Sequence, residues 1–168
     1  MADMNLIKQL REATFAPLGD CKSALDEANG DIERAKQILK EKGIAKAWKK
    51  ADRETNEWMI QIVTENGKTV VLKLLCETDF VVKNDHFQTL FTNILDLLKN
   101  QNGEIEGYDN VPADTQAAIT DLLTSFVWTI GENVKIGDVL VTSEHVYGYN
   151  HPGNKVASLI YYTGDEDS

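Results

Sequence analysis

The chain has 168 residues, a hydrophobic fraction of 42% and a net charge of −10. That length suits one domain, or a small one beside a medium one, with enough apolar residues for a packed core. So acidic a chain is a poor match for nucleic-acid backbones, which need clustered Lys and Arg, and no apolar run reaches the roughly 20 residues of a membrane-spanning helix.

The start, Met1-Ala2-Asp3, is acidic at once and turns helical soon after, unlike a secretory signal or an Arg- and Ser-rich transit peptide. The expectation is a mature cytoplasmic protein. Residues 4 to 43 predict three short helices. The first carries Leu6, Ile7 and Leu10 and breaks at Phe15-Ala16-Pro17-Leu18-Gly19. The second carries Cys21, Ala24, Leu25 and Ala28 and stops at Asn29-Gly30. Asp31 is placed to cap the third, whose apolar positions are Ile32, Ala35, Ile38 and Leu39, and Gly43 is its expected end. Then Lys46, Lys49, Lys50 and Arg53, with Trp48 among them, make a basic, alanine-bearing stretch read as a helical linker. It is either a docking patch or the solvated face of a connector.

From Trp58 the period changes to two. Trp58, Ile60 and Ile62 alternate with Met59, Gln61 and Val63. Asn66-Gly67 is a strong tight-hairpin signal. Val70, Leu72, Leu74 and Cys76 form a fully apolar face, and Val71, Lys73 and Leu75 a mixed one. A helix from about Asn84 to Asn100 follows, with Phe87, Leu90, Phe91, Ile94, Leu97 and Leu98 in one stripe. After a loop from Gly103 to Pro112, a second helix carries Ile119, Leu122, Leu123, Phe126, Val127 and Ile130. Strands over Val134 to Glu144 and Val146 to Tyr162 finish the chain, the last one broken by the turn His151-Pro152-Gly153-Asn154. Strands, two helices, then strands indicate an α+β fold, an antiparallel sheet packed with two helices. The expected division is 1–44, a three-helix domain; 45–57, a helical linker; and 58–168, the α+β core.

Between the apolar strand and the following helix stands Cys76-Glu77-Thr78-Asp79-Phe80-Val81-Val82-Lys83-Asn84-Asp85-His86-Phe87. Loops at such junctions carry function more often than the elements they join. Glu-Thr-Asp-Phe-Val-x-x-Asn-x-x-Phe closely resembles the signature of the elongation factor Ts family, the guanine-nucleotide exchange factors of the GTPase elongation factor Tu. The likeness extends along nearly the whole chain. Leu10-Arg11-Glu12-x-Thr14, Asp20-Cys21-Lys22-x-Ala24-Leu25-x-Glu27-Ala28-x-Gly30-Asp31 and Lys42-Gly43-x-Ala45-x-Ala47 resemble that family's amino-terminal ubiquitin-associated-type domain. Ile130-Gly131-Glu132-Asn133 and Tyr149-Asn150-His151 fall where the family has Ile-Gly-Glu-Asn and Tyr-x-His.

Two departures stand out. Where the family has Thr-Gly-Ala-Gly-Met-Met-Asp-Cys-Lys, this chain has Thr14-Phe15-Ala16-Pro17-Leu18-Gly19-Asp20-Cys21-Lys22. Both glycines are gone, and Leu18 alone stands for the paired methionines. The chain also ends soon after Tyr162, whereas many members continue into a second core half and a coiled coil, so that half is expected to be truncated here.

The resemblance implies a partner, an elongation factor Tu-like GTPase, and partner-binding residues. Asp79, Phe80 and Thr78 come first, then His151, Ile130 and Gly131, then Arg11, Leu18 and Lys22 in the helical domain. It implies that Phe80 acts as a wedge near the GTPase's magnesium site. From the residues alone, Phe80 also fits the first core position of the following helix layer. Asp79 fits a helix cap, His151 a solvated loop residue, and Ile130-Gly131 a plain helix end. His86, His145 and His151 are scattered, and Cys21 and Cys76 form no Cys-x-x-Cys pair, so no enzyme, metal or cofactor site is indicated. Both cysteines are expected to be small buried hydrophobes in a reducing compartment. The leading expectation is a translation elongation factor that promotes GDP release and exchange for GTP. The alternative is a module without exchange activity that docks on a partner or forms a homodimer through the core sheet.

Overall fold

The computed structural model describes residues 3–14 and 16–163. Its helices are α1 (Met4–Thr14), α2 (Leu18–Glu27), α3 (Ile32–Lys50), α4 (Asp79–Val82), α5 (Asp85–Lys99) and α6 (Ala113–Ile130). Its strands are β1 (Glu57–Glu65), β2 (Lys68–Cys76), β3 (Ile105–Glu106), β4 (Val134–Thr142), β5 (Val146–Asn150) and β6 (Ala157–Tyr161). The fold is α+β, and it divides into two compact units: Met1–Arg53 with Asp121–Asn133, and Glu54–Thr120 with Val134–Ser168.

In the helical unit, Ile7, Leu10, Cys21, Ala24, Leu25, Ala28, Ala35, Ile38 and Leu39 are buried, as their spacing predicts. Asn29 and Gly30 take left-handed φ values of 52° and 85° and end α2. The Asp31 carboxylate accepts from Arg34 N at 3.0 Å and caps α3. Phe15 lies outside the described residues.

Gly43 does not end α3, which runs unbroken to Lys50. A Cβ at Gly43 would come within 2.9 Å of Trp128 Cε3. The glycine is therefore a slot for the indole, and its cost of roughly 1 kcal/mol in helix propensity is offset by burial of the ring. Trp128 belongs to the same apolar cluster as α1–α3, so their core does not close on itself. Lys46 and Lys50 of the basic stretch, and Lys42 just before it, are engaged within the unit. Lys42 pairs with Glu27 at 2.8 Å, Lys46 with Asp20 at 2.6 Å, and Lys50 donates to the Gly131 carbonyl at 2.6 Å. Trp48 projects outward, 78% exposed.

The second unit is built on an antiparallel sheet of order β1-β2-β4-β3. Asn66 and Gly67, with φ of 53° and 73°, form the tight turn between β1 and β2. Val70, Leu72, Leu74 and Cys76 are buried, and α5 packs on β2 with Phe87, Leu90, Phe91, Ile94, Leu95 and Leu98. Leu95 takes the buried place expected of Leu97, which is only half-buried. In the β2–β4 ladder Leu72 faces Val139 and Leu74 faces Ile136, leaving Gly137 and Asp138 against Lys73. Gly137 marks this bulge, and a Cβ there would sit 3.2 Å from the Lys73 carbonyl oxygen. The two-residue β3, inside the expected loop, is too short to show a period; its Ile105 is buried.

The final expected strand is a separate hairpin, β5–β6. It lies beside β1, with Gly148 so close over Ile62 that a Cβ there would clash with Ile62 Cγ2. The Asn150 side chain accepts from Ile62 N at 2.7 Å and donates to the Ile62 carbonyl at 2.8 Å. The free edge of β1 is thereby occupied, as sheet edges generally must be.

Candidate functional site

The signature segment leaves the sheet at the end of β2, where Cys76 stands opposite Glu57 of β1. It does not form a loop. Thr78, half-buried with φ −132° and ψ 154°, precedes the single turn α4. The Cys76 thiol donates to the Thr78 carbonyl at 3.3 Å. Val81 and Val82 turn into the core. Gln88 Nε2 donates to the Val82 carbonyl at 2.7 Å, and Asn84 Oδ1 accepts from His86 N at 2.8 Å to cap α5. Phe87 is fully buried.

The motif thus sorts by role. Val81, Val82, Asn84 and Phe87 bolt the turn down. Asp79 is exposed and pairs with Lys83, at 3.3 Å on the surface. Phe80 is 80% exposed, so it is not the first core residue of the helix layer. A one-turn helix fastened by both neighbouring valines presents a large aromatic ring to solvent. That arrangement is suited to an anchor entering an apolar pocket.

His151 is exposed on the β5–β6 turn, in which Gly153 and Asn154 have φ of 91° and 54°. Asn154 N donates to the His151 carbonyl at 3.0 Å and closes the turn. The His151 ring meets Tyr149 edge-on, with Nδ1 3.3 Å from the phenol oxygen. Asn154 and Lys155 are held to Ile60 and Trp58 at the beginning of β1. Because β1 begins where β2 ends, the His151 turn and α4 emerge at the same end of the sheet.

The other candidates belong to the helical unit. Leu18, 52% exposed, opens α2, and Lys22 stands exposed one turn later. Arg11 is exposed on α1. Between Leu18 and Lys22, Asp20 turns inward, and its Oδ2 accepts from Lys46 Nζ at 2.6 Å and Trp128 Nε1 at 3.0 Å. The Lys46 bond holds this carboxyl below the usual Asp range. Ile130 and Gly131 are half-buried. Gly131, at φ 86°, ends α6, and Asn133 Nδ2 donates to the Arg53 carbonyl at 2.9 Å. These two therefore have a structural account as a helix end.

Cys21 and Cys76 are free and buried. Burial pushes the Cys21 thiol up, which disfavours the reactive thiolate. Among the described residues no group of three or more His, Cys, Asp or Glu side chains is arranged to hold a metal. Reasoning from sequence overlooked Asn150, Trp58 and Trp128, whose partners are remote in the chain and carry no local period.

A family model described as Elongation factor TS matches residues 77–168. The chain belongs to the elongation factor Ts family. The elongation factor Ts of Hydrogenobaculum sp. is 40% identical over 164 residues, which cover 95% of this chain and 60% of that protein. That of Ehrlichia ruminantium is 43% identical over 89% of this chain and 53% of its own length. That of Aquifex aeolicus is 38% identical over 97% of this chain and 60% of its own. The chain therefore spans little more than half the length of these elongation factor Ts relatives.

Proposed function

We propose that this chain is a cytoplasmic translation elongation factor that binds an elongation factor Tu-like GTPase and promotes release of GDP and its exchange for GTP. The observation that carries the reading is Phe80, a large aromatic 80% exposed on a turn that buried Val81 and Val82 hold down. Phe80 is the anchor, Asp79 and Thr78 contact the partner beside it, and His151 contacts the partner at the same end of the sheet. Arg11, Leu18 and Lys22 form a second, weaker contact, and Ile130 and Gly131 support the helix end beside it.

Exchange requires no bond to be made or broken, so no catalytic group or cofactor is called for. A GTPase holds GDP through backbone donors and a Mg²⁺ ion. A factor that binds the distorted, nucleotide-poor pocket more tightly lowers GDP affinity, and GDP lowers the factor's affinity by the same ratio. GTP then enters and displaces the factor. The test is release of labelled GDP from a bacterial elongation factor Tu with and without the chain. Acceleration supports the reading, and an unchanged rate despite measurable binding rejects it.

One observation favours a second reading, a docking or self-associating module. The outward side of the β5–β6 hairpin sets exposed Tyr147 opposite exposed Ile160, with exposed Tyr149 and Tyr162 alongside. Sedimentation showing a stable dimer, together with no acceleration of GDP release, would replace the first reading with this one.

A further inference from the structure

We propose that Trp58 is a positioning residue for partner binding, fixing the turn that carries His151 against the strand beside Phe80's exit, so that the two side chains engage the GTPase as one surface. This rests on the exchange-factor reading above.

The β5–β6 hairpin has only two strands, and an isolated two-stranded hairpin is at best marginally stable in water. Its turn is further burdened by a left-handed Asn154. The position of His151 therefore depends on what ties the hairpin to the sheet. The ties run along β1. The Asn150 amide grips Ile62, the Asn154 carbonyl accepts from Ile60 N at 2.8 Å, and the Lys155 carbonyl accepts from Trp58 Nε1 at 2.8 Å. Lys155 Nζ also pairs with Glu57, but both side chains of that pair are partly solvated, so it contributes little.

The indole does more than donate a proton. Lys155 Nζ lies 5.2 Å and Lys73 Nζ 5.3 Å from its ring, within cation–π range. Trp58 thus holds the turn by the Lys155 backbone and by its ammonium together. Trp58 itself is fixed opposite Leu75 in the β1–β2 ladder, and Leu75 lies just before Cys76 and the signature turn. The link from His151 to Phe80 is short: turn, Trp58, ladder, α4. Prior fixation of two contacts removes part of the ordering cost that a loose turn would incur on binding.

Trp58→Phe keeps an aromatic ring and removes the N–H. Hydrogen exchange reads the turn directly, without the GTPase: Ile60 and His151 amides, bonded to Asn154 and Val156 carbonyls in the protein, are expected to lose protection in this variant. In GDP release, loss of one neutral hydrogen bond should raise the half-saturating GTPase concentration roughly three- to tenfold, with little change in the maximal rate. His151→Ala added to Trp58→Phe should then cost little more, whereas Phe80→Ala should multiply its loss in full. Unchanged amide protection, wild-type exchange by Trp58→Phe, or a full His151→Ala effect in the Trp58→Phe background would overturn the inference. If His151→Ala alone left GDP release unaltered, the role of His151 in the proposed function would fall, and with it the functional half of this inference. Amide protection would still decide whether Trp58 holds the turn. Should Trp58→Phe not fold, Asn150→Ala removes the neighbouring tie and serves the same comparisons.

Discussion

The Phe80 turn of the sheet unit and the candidate contacts of the helical unit are held by different means. In the sheet unit, α4 leaves an uninterrupted β1–β2 ladder, and its own turn is fastened by buried Val81 and Val82. In the helical unit, the start of α2 and the end of α6 are held by side chains. Asp20 bonds Lys46 and Trp128, Lys50 bonds the Gly131 carbonyl, and the indole fills the slot at Gly43. Ladders tolerate changes in exposed side chains, whereas side-chain ties do not. Substitutions at the exposed positions of α4 should therefore report on binding alone. Substitutions at the ties of the helical unit should report on stability first.

The largest effect that would break this contrast lies at Trp128. Trp128→Ala removes a buried indole from the α1–α3 cluster and should destabilise the protein by about 3–5 kcal/mol. Denaturant melts followed by circular dichroism would measure it. The same packing bears on truncation: deletion of residues 1–53 should strip the cover from Trp128 and fray α6 beyond Thr120. A Trp128→Ala variant that melts like the parent would show that side-chain ties are not what holds the helical unit.

Phe80→Ala is the converse. An exposed ring contributes little to folding, so stability should change by no more than about 0.5 kcal/mol. As an interface anchor it should cost about 2 kcal/mol or more in binding, close to a thirtyfold loss. Calorimetric melting and GTPase affinity on one preparation separate the two. A variant with parental affinity would remove Phe80 from the interface.

Most elements were legible in the sequence because their signals are local. Asn66-Gly67, Asn29-Gly30 and Asp31 each state their turn or cap in two or three residues, and the structure follows them. The apolar face of β2 and most of the α5 stripe follow from period alone. What failed was non-local. Gly43 reads as a stop unless Trp128, far along the chain, is known to need its space. The period alone also leaves the outward turn of Phe80 open, since it places an aromatic after a strand as readily in the core; only the family resemblance points outward. The exposure of Phe80 follows from the two valines beside it taking the buried positions. The pairing of the His151 turn with α4 at one end of the sheet depends on Asn150, which bonds Ile62, and on Lys155, which meets Trp58 and Glu57, all three partners lying on β1 far from the turn in sequence.

Asp20 allows a finer test. Asp20→Asn weakens two hydrogen bonds, one to a lysine, and should cost about 1 kcal/mol, toward the lower end because Lys46 is nearly half exposed. The pH dependence has a fixed sign. The folded-state pKa lies below the ordinary Asp value, so the contribution is present above the unfolded pKa and is lost as pH falls through the folded one. Stability curves of parent and variant should therefore differ at neutral pH and converge on acidification below about pH 4. Parallel curves would mean that the carboxylate charge contributes nothing to the tie.

The smallest expected effect is at the start of α2. Gly19 is the second residue of the helix, and a Cβ there meets nothing within 4 Å. Gly19→Met should raise helix stability by about 0.5–1 kcal/mol through propensity alone, visible as a rise of a few degrees in Tm. It also sets a second apolar side chain next to half-exposed Leu18. If the start of α2 touches the GTPase, the variant should bind more tightly, by no more than about tenfold, since one extra aliphatic side chain at a partly solvated rim adds little more than about 1 kcal/mol. A higher Tm with unaltered affinity would assign Leu18 to the free surface, leaving partner recognition to the end of the sheet that carries Phe80 and His151.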